Sequence, residues 1–246
     1  MDTGTPTRPA SGIGAAEDPS AWIAGLLQTS DSFYPTGSYA HSFGLEGLVQ
    51  DGSVRDLPTL RAFLIEQALP QLACTDLPIA AGAWADAGLP PDWERLQAWC
   101  LLGRAVRGAR EPREASEAVG RQRLDMAARL HGGLAAEFNR RASAEKWPQP
   151  ACVAAAIEGR TVGAPQAAVL AAIIYTSAAG LVAAAVKLLR LGQNAAQGLL
   201  AEALAQAPAL TRDALALSAE DIGSFNPWWD IAASRHESAD GRLFIS

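Results

Sequence analysis

The fold is decided by residues 167–186, which read AAVLAAIIYTSAAGLVAAAV. These twenty positions carry no charge, and nine of them are alanine. A stretch of this length matches the thickness of a bilayer, but alanine gains little from lipid and large aliphatic side chains are few here. Small side chains let neighbouring helices approach closely at the centre of a bundle. We therefore predict a central apolar helix over about 165–190. The alternative is a small membrane-associated helical protein that uses residues 167–186.

The chain outside this stretch also favours helices. About a fifth of all residues are alanine, the best helix former, and apolar residues recur at helical spacing, as in Trp22, Ile23, Leu26 and Leu27. Glycine and proline clusters such as Gly132-Gly133 separate the periodic stretches. The pattern predicts one all-α domain, a helical bundle of about nine or ten helices with short connections.

Local signals mark several helix boundaries. Asp56 and Asp92 each precede a helical stretch and are typical capping residues. The pattern predicts one helix over Tyr39–Gln50 and a turn or helix end at Pro70.

Composition divides the chain into three parts. Residues 1–18 are rich in Gly, Pro, Thr and Ala, which is typical of a disordered leader and not of a secretory signal. Residues 19–222 form the predicted helical domain. Residues 223–246 combine two tryptophans with an apolar end, which predicts a tail that binds a partner surface.

Charge and cysteine content narrow the class of protein. The 20 Lys and Arg against 26 Asp and Glu give a net charge of −6, which excludes a basic nucleic-acid-binding protein. The three cysteines Cys74, Cys100 and Cys152 are far apart and odd in number, so we predict reduced core thiols and a cytoplasmic protein.

The sequence contains no constellation typical of catalysis or metal binding. It has neither a GxxxxGK[ST] nor a GxGxxG phosphate-binding loop. His41, His131 and His236 are widely separated, and the adjacent pair His236-Glu237 would point apart on a helix. We therefore predict no catalytic, cofactor or metal site, with His236 held by a backbone or carboxylate contact. A hydrolase built on Ser38 or Ser42, His41, and Asp31 or Glu46 is the alternative from the enzyme class, although no GxSxG motif supports it.

Residues 26–46, LLQTSDSFYPTGSYAHSFGLE, closely resemble the opening of the urease accessory protein UreF family. Three further blocks follow in the order of that family: 113–121, 187–193, and the ending 230–237 with 242–246. The resemblance therefore covers nearly the whole chain after residue 18.

The resemblance implies an all-α, non-catalytic chaperone of nickel-dependent urease maturation. A member of this family is expected to form a homodimer, to bind UreD (also called UreH) and the GTPase UreG, and to reach apo-urease through that complex. Nickel would come from the GTPase, so this chain itself would need no cofactor and no membrane.

The resemblance also assigns roles to particular positions. Tyr39 and Arg242 match residues that recruit the GTPase, and Glu46 and Lys187 match a polar patch on the same surface. The segment 230–246 resembles one that becomes ordered when UreD docks, with its apolar end buried on the partner. The partner-binding residues expected from this segment are Arg235, His236, Glu237, Arg242, Leu243 and Phe244.

Each assigned side chain also has an ordinary interpretation. Glu46 would be a solvated helix residue, Tyr39 a ring beside a turn, Lys187 a flanking charge at a helix end and Arg242 a tail residue in water. The sequence departs from the family where Arg190 replaces a usual proline, and where residues 238–241 lack a usual aromatic.

Overall fold

The computed structural model describes residues 19–224, 226–237, 239 and 241–245. Within these residues the regular structure is entirely helical, which confirms the all-α prediction. Ten α-helices in this part of the chain have ten or more residues, in agreement with the predicted nine or ten. The α-helices are α1 (Pro19–Ser30), α2 (Leu45–Gln50), α3 (Leu57–Phe63), α4 (Leu69–Cys74), α5 (Asp76–Asp86), α6 (Trp93–Ala105), α7 (Arg110–His131), α8 (Gly133–Ala144), α9 (Ala151–Thr161), α10 (Gln166–Leu189), α11 (Gln193–Ala205), α12 (Ala207–Ala216) and α13 (Pro227–His236).

The described residues also include three shorter helical elements. Two 3₁₀-helices cover Ser38–Ala40 and Ala219–Asp221, and a π-helix covers Leu64–Ala68. The predicted leader, residues 1–18, lies outside the described residues. The boundaries at 19–222 and 223–246 stay predictions.

The central helix is α10, at the predicted position. It packs against α1, α2, α5, α9, α11 and α12. By length and composition α10 could cross a membrane, with a mean hydropathy of 2.1, but half of that apolar window is buried inside the fold. One side of α10 is therefore core, while the opposite side is exposed. The core side consists of Val169, Leu170, Ile173, Ile174, Ala178, Leu181, Val182, Ala184 and Ala185.

Glycines allow the closest helix contacts in this core. A Cβ on Gly159 of α9 would lie 2.4 Å from a methyl group of Val169 on α10. A Cβ on Gly120 of α7 would lie 1.8 Å from the carbonyl oxygen of Gln149, just before α9. At both positions a side chain would occupy space that the neighbouring element already fills.

The two predicted capping residues are confirmed. The Asp56 carboxylate accepts a hydrogen bond from the Thr59 backbone N–H at 2.9 Å, and the Thr59 hydroxyl completes a capping box. The Asp92 carboxylate accepts a hydrogen bond from the Arg95 backbone N–H at 3.1 Å.

The predicted helix over Tyr39–Gln50 is wrong in its first half. The 3₁₀-helix ends at Ala40, and α2 begins only at Leu45. Phe43 and Gly44 between them have φ values of 51° and 89°, and two successive left-handed residues cannot continue a right-handed helix. The apolar residues do recur at helical spacing, but the backbone between Ala40 and Leu45 is not helical.

The predicted break at Pro70 is also wrong. Pro70 lies in the first turn of α4, directly after the π-helix, and the helical path continues to Cys74. The Leu69 backbone N–H donates to the Leu64 carbonyl, five residues earlier. Because a proline has no N–H for the carbonyl four residues earlier and its ring crowds that carbonyl, a wider π-turn accommodates it.

Two further local features concern Arg190 and the cysteines. Helix α10 ends at Leu189 although no proline follows, because Arg190 adopts a left-handed conformation with φ of 52°. Cys100 and Cys152 are buried free thiols, as predicted, and burial raises the pKa of Cys100 to about 12. Cys74 is exposed, so its assignment to the core is wrong.

The glycine contacts predict opposite effects for two identical substitutions. We expect Gly120→Ala to lower the free energy of unfolding by about 1–3 kcal/mol, because the new methyl group overlaps the Gln149 carbonyl. We expect Gly198→Ala, on α11, to raise it by about 0.5–1 kcal/mol, because its Cβ meets no atom within 4 Å and alanine favours the helix. Urea unfolding followed by circular dichroism measures both, and equal effects would contradict the packing described.

Candidate functional site

The tail of the chain lies on the helical body. Helix α13 packs against α2 and α7. Asn226 caps α13 by accepting a hydrogen bond from the Trp229 backbone N–H at 3.2 Å, and Pro227 occupies the first turn. The expectation of a loose tail is therefore not met in the described residues of this region.

Two glycines of the α2 region bring α13 unusually close. A Cβ on Gly47 would lie 2.3 Å from the carbonyl oxygen of Ala232, and one on Gly44 would lie 2.8 Å from the indole nitrogen of Trp229. That indole N–H donates to the Phe43 carbonyl at 2.9 Å. The left-handed turn before α2 thus supplies both space and a hydrogen-bond acceptor for α13.

The Glu46 carboxylate is the centre of the contact between tail and body. Glu46 is 3% exposed. Its Oε1 accepts the backbone N–H of Leu243 at 2.7 Å, and its Oε2 accepts the backbone N–H of Phe244 at 3.0 Å. The same Oε2 lies 2.9 Å from Nε2 of His236. One buried side chain of α2 therefore binds both α13 and the end of the chain, residues 241–245.

A second carboxylate, Glu111 of α7, meets the opposite side of His236. Nδ1 of the buried imidazole lies 2.8 Å from Oε2 of Glu111, and Nη1 of Arg242 donates to Oε1 of Glu111 at 3.0 Å. Each ring nitrogen of His236 therefore lies within hydrogen-bond distance of a carboxylate oxygen. We call this group the tail anchor: Glu46, Glu111, His236, Arg242 and the backbone N–H groups of Leu243 and Phe244.

Further contacts hold residues 241–245 on the body. Nε2 of Gln50 donates to the Gly241 carbonyl at 2.9 Å, and the Ile245 backbone N–H donates to the Ala40 carbonyl at 2.9 Å. The Phe244 ring is buried, with Nζ of Lys187 5.2 Å from its centroid. The segment is thereby attached to the 3₁₀-helix, to α2 and to α10.

A buried hydrogen-bond network holds the turn that leads to Tyr39. The Tyr34 hydroxyl donates to Glu158 of α9, and Nε of Arg123 of α7 donates to the other oxygen of that carboxylate at 2.5 Å. Arg123 also donates to the Thr29 carbonyl at 3.0 Å. Burial and the Glu158 carboxylate raise the pKa of Tyr34. Tyr39 itself is 73% exposed at the surface of this turn.

The structure brings the predicted partner-binding residues into one region. The tail anchor contains the side chains of Glu46, His236 and Arg242 and the backbone N–H groups of Leu243 and Phe244. Lys187 covers the Phe244 ring. Tyr39 precedes Ala40, which binds the tail backbone. At the edge of the region Glu237 pairs with Arg110, and Arg235 lies on the exposed side of α13.

Several interpretations from the sequence change with these contacts. Glu46 is a buried acceptor and not a solvated helix residue, and Arg242 is ion-paired rather than free in water. The contact predicted for His236 is confirmed, with a carboxylate at each ring nitrogen. In this structure Phe244 is buried on its own chain, whereas Leu243 and Ile245 are 62% and 68% exposed.

Sequence reasoning missed Glu111, Gly44 and Gly47. The glycines stand three residues apart, but Gly44 precedes α2 and only Gly47 lies within it, so they do not form the spacing of four that signals close helix approach. No pattern in the sequence distinguishes Glu111 from its neighbour Glu114. Its partners lie 125 and 131 positions away in the chain.

No metal or catalytic site emerges from the described residues. They contain no group of three or more His, Cys, Asp or Glu that could hold a metal ion, and the imidazole of His236 separates Glu46 from Glu111. Asp31 and Ser42 of the hydrolase alternative accept backbone N–H groups, from Phe33 at 2.7 Å and from Glu46 at 3.3 Å. Burial lowers the pKa of His41.

A separate apolar face lies between α1 and α10. Ile23 and Leu27 of α1 are 42% and 68% exposed, and Tyr175 of α10 is 40% exposed. They border a groove of about 510 Å³ whose ten lining residues include one charged side chain, Asp31. We call this surface the α1–α10 face: Trp22, Ile23, Leu26, Leu27, Ala168, Ala171, Ala172 and Tyr175.

Comparison with known proteins gives one consistent result. Residues 54–204 match the family model described as UreF. The chain is 31% identical over 226 residues to the urease accessory protein UreF of Paenarthrobacter aurescens, which covers 90% of this chain and 96% of that protein. It is 33% identical over 223 residues to the UreF of Granulibacter bethesdensis, which covers 90% and 92%. It is 30% identical to the bifunctional urease accessory protein UreEF of Bordetella bronchiseptica, covering 91% of this chain and 52% of that protein.

Proposed function

This chain belongs to the UreF family of urease accessory proteins, and from that membership we propose that it is a scaffold for nickel-dependent maturation of urease. It is an accessory protein and not an enzyme, as the names of its relatives indicate. In this proposal it binds UreD (UreH) through its tail, recruits the GTPase UreG beside the tail, and meets apo-urease through the complex.

The observation that carries the proposal is the tail anchor. Residues that the family resemblance assigns to partner binding come from positions as far apart as 46 and 244, and they meet around one buried carboxylate. A scaffold needs a binding surface that is fixed before the partner arrives, because a rigid surface loses less entropy on association. The buried hydrogen bonds of Glu46 provide that rigidity.

UreD is proposed to dock on the outer surface of the tail. Trp228 and Ile231 of α13 are 37% and 50% exposed, and Leu243 and Ile245 are exposed nearby. Because Phe244 is already buried against the body, these four side chains supply the apolar contact that the partner covers. Aromatic and aliphatic anchors of this kind carry most of the energy in protein interfaces.

UreG is proposed to bind at the polar edge of the same region. Lys187, Arg242 and Tyr39 are all exposed there, around the buried Glu46. Nickel would reach urease with the GTPase, as the family resemblance implies. We place the protein in the cytoplasm, which is consistent with three free cysteines.

The homodimer expected for the family is proposed to form through the α1–α10 face. This face is almost free of charge on a chain of net charge −6, so two copies can meet there without like-charge repulsion. It combines protruding side chains, Leu27 and Tyr175, with a groove. A surface that carries both is self-complementary about a two-fold axis.

The membrane-associated alternative rests on the same helix. Helix α10 has the length and composition of a membrane span, but its core side is occupied by the other helices of the bundle. A dimer would cover the exposed side and leave no long apolar surface for lipid.

The tail surface gives the first functional prediction. We expect the double substitution of Leu243→Asp and Ile245→Asp to reduce co-purification of UreD at least tenfold, because charged groups would be buried at the interface. The helical circular dichroism spectrum should not change, since both side chains are exposed. In the same assay with UreG added, Arg242→Gln should retain UreD and lose UreG.

The control is Leu215→Asp, which changes a 46% exposed leucine on α12 and should leave both partners bound. Undiminished recovery of UreD with the double variant would refute the proposed docking surface. Undiminished recovery of UreG with Arg242→Gln would refute the recruiting role of Arg242.

The α1–α10 face gives the second prediction. We expect Leu27→Asp to convert a dimer of the purified chain into a monomer, because two buried carboxylates would face each other across the two-fold axis. Sedimentation velocity in buffer without detergent measures the state, with Leu215→Asp again as control. A monomeric wild-type chain would contradict this interface. A wild-type chain that needs detergent to stay in solution would contradict it as well and would favour the membrane alternative.

A further inference from the structure

We propose that Glu111 is a positioning residue of the UreG-recruiting surface, which holds Arg242 in its binding conformation; the inference rests on the proposed function. Neither the family resemblance nor the relatives assign a role to this residue.

Each carboxylate oxygen of Glu111 serves a different part of the tail. Oε2 is 2.8 Å from Nδ1 of His236 on α13, and Oε1 accepts a hydrogen bond from Nη1 of Arg242, in the segment after α13, at 3.0 Å. The Glu111 side chain is 12% exposed, whereas that of Arg242 is 40% exposed. A nearly buried group of the body therefore fixes an arginine that is still open to a partner.

Arg242 depends on this contact for its orientation. Within the described residues its ion pair is with Glu111, and an unrestrained arginine samples many rotamers. Holding the guanidinium in one place before association lowers the entropy that UreG binding must offset. The guanidinium group is planar and donates hydrogen bonds in fixed directions, so its orientation is as important for binding as its charge.

The charged groups around Glu111 leave it free for this role. Arg110, the adjacent residue, pairs with Glu237 and lies 3.9 Å from Glu114. It therefore has carboxylate partners other than Glu111. His236 connects Glu111 to Glu46 on the far side of the ring, so Glu111 contacts both α13 and the segment that carries Arg242.

A double-mutant cycle tests the inference on the full chain in complex with UreD. We expect Glu111→Gln and Arg242→Gln each to weaken UreG binding at least tenfold. The double variant should bind UreG no more weakly than Arg242→Gln alone, because both changes remove the same interaction. Glu114→Gln is the matched control: Glu114 is 64% exposed, on the same helix, and its change should leave UreG affinity within twofold of wild type.

The outcomes separate the inference from the proposed function. Full UreG affinity in Arg242→Gln would overturn the proposed recruiting surface and the inference with it. Loss of affinity in Arg242→Gln with none in Glu111→Gln would overturn the inference alone. Additive losses, or loss of UreD together with UreG in Glu111→Gln, would show a merely structural role and would also overturn it.

A second variant keeps the test decisive if Glu111→Gln does not fold. Glu111→Asp keeps the charge but shortens the side chain by one methylene group, so it should weaken the contact with Arg242 without leaving His236 beside a neutral group. We expect a loss of UreG affinity between those of the wild type and Arg242→Gln, with UreD binding unchanged. Wild-type affinity for UreG in Glu111→Asp would overturn the inference.

Discussion

A carboxylate taken out of water must recover its lost hydration through hydrogen bonds, and the Glu46 carboxylate recovers it from the tail of its own chain. The two backbone N–H groups of Leu243 and Phe244 and the ring of His236 surround its oxygens. Removing one partner of such a buried charge costs about 3–5 kcal/mol. The position of the tail, and with it the arrangement of the exposed side chains around it, therefore depends on this one group. Apolar contacts alone would not fix it, because they have no preferred direction.

The packing around Glu46 complements its hydrogen bonds. Gly44 and Gly47 let α13 approach α2 until backbone meets backbone, and this distance brings His236 within reach of Glu46. On the other side of the fold, α10 buries one face in the core and leaves the α1–α10 face exposed. The molecule thus presents two distinct exposed surfaces, one polar at its edge and organised by the tail, the other apolar, and we propose that partner proteins bind the first and a second copy binds the other.

Much of the fold is predictable from the sequence, because helical periodicity and capping are local. The uncharged stretch 167–186 locates α10, and Asp56 and Asp92 locate the starts of α3 and α6. The left-handed pair Phe43 and Gly44 escapes prediction, because the apolar spacing continues through it. The candidate site is only partly predictable: the family resemblance names Glu46 and Arg242, but the pairing of Glu46 with His236 and of Arg242 with Glu111 depends on contacts across 190 and 131 positions. No local pattern records such contacts, which is why Glu111 appears only in the structure.

The central claim is that Glu46 holds the tail on the body of the isolated chain. The most direct measurement is hydrogen exchange of the backbone N–H groups of Leu243 and Phe244, resolved by NMR, in the wild-type chain without partners. Because both groups donate to a buried carboxylate, the account predicts exchange slower by about 100-fold or more than in an unstructured peptide. Exchange at the rate of an unstructured peptide at both residues would contradict it.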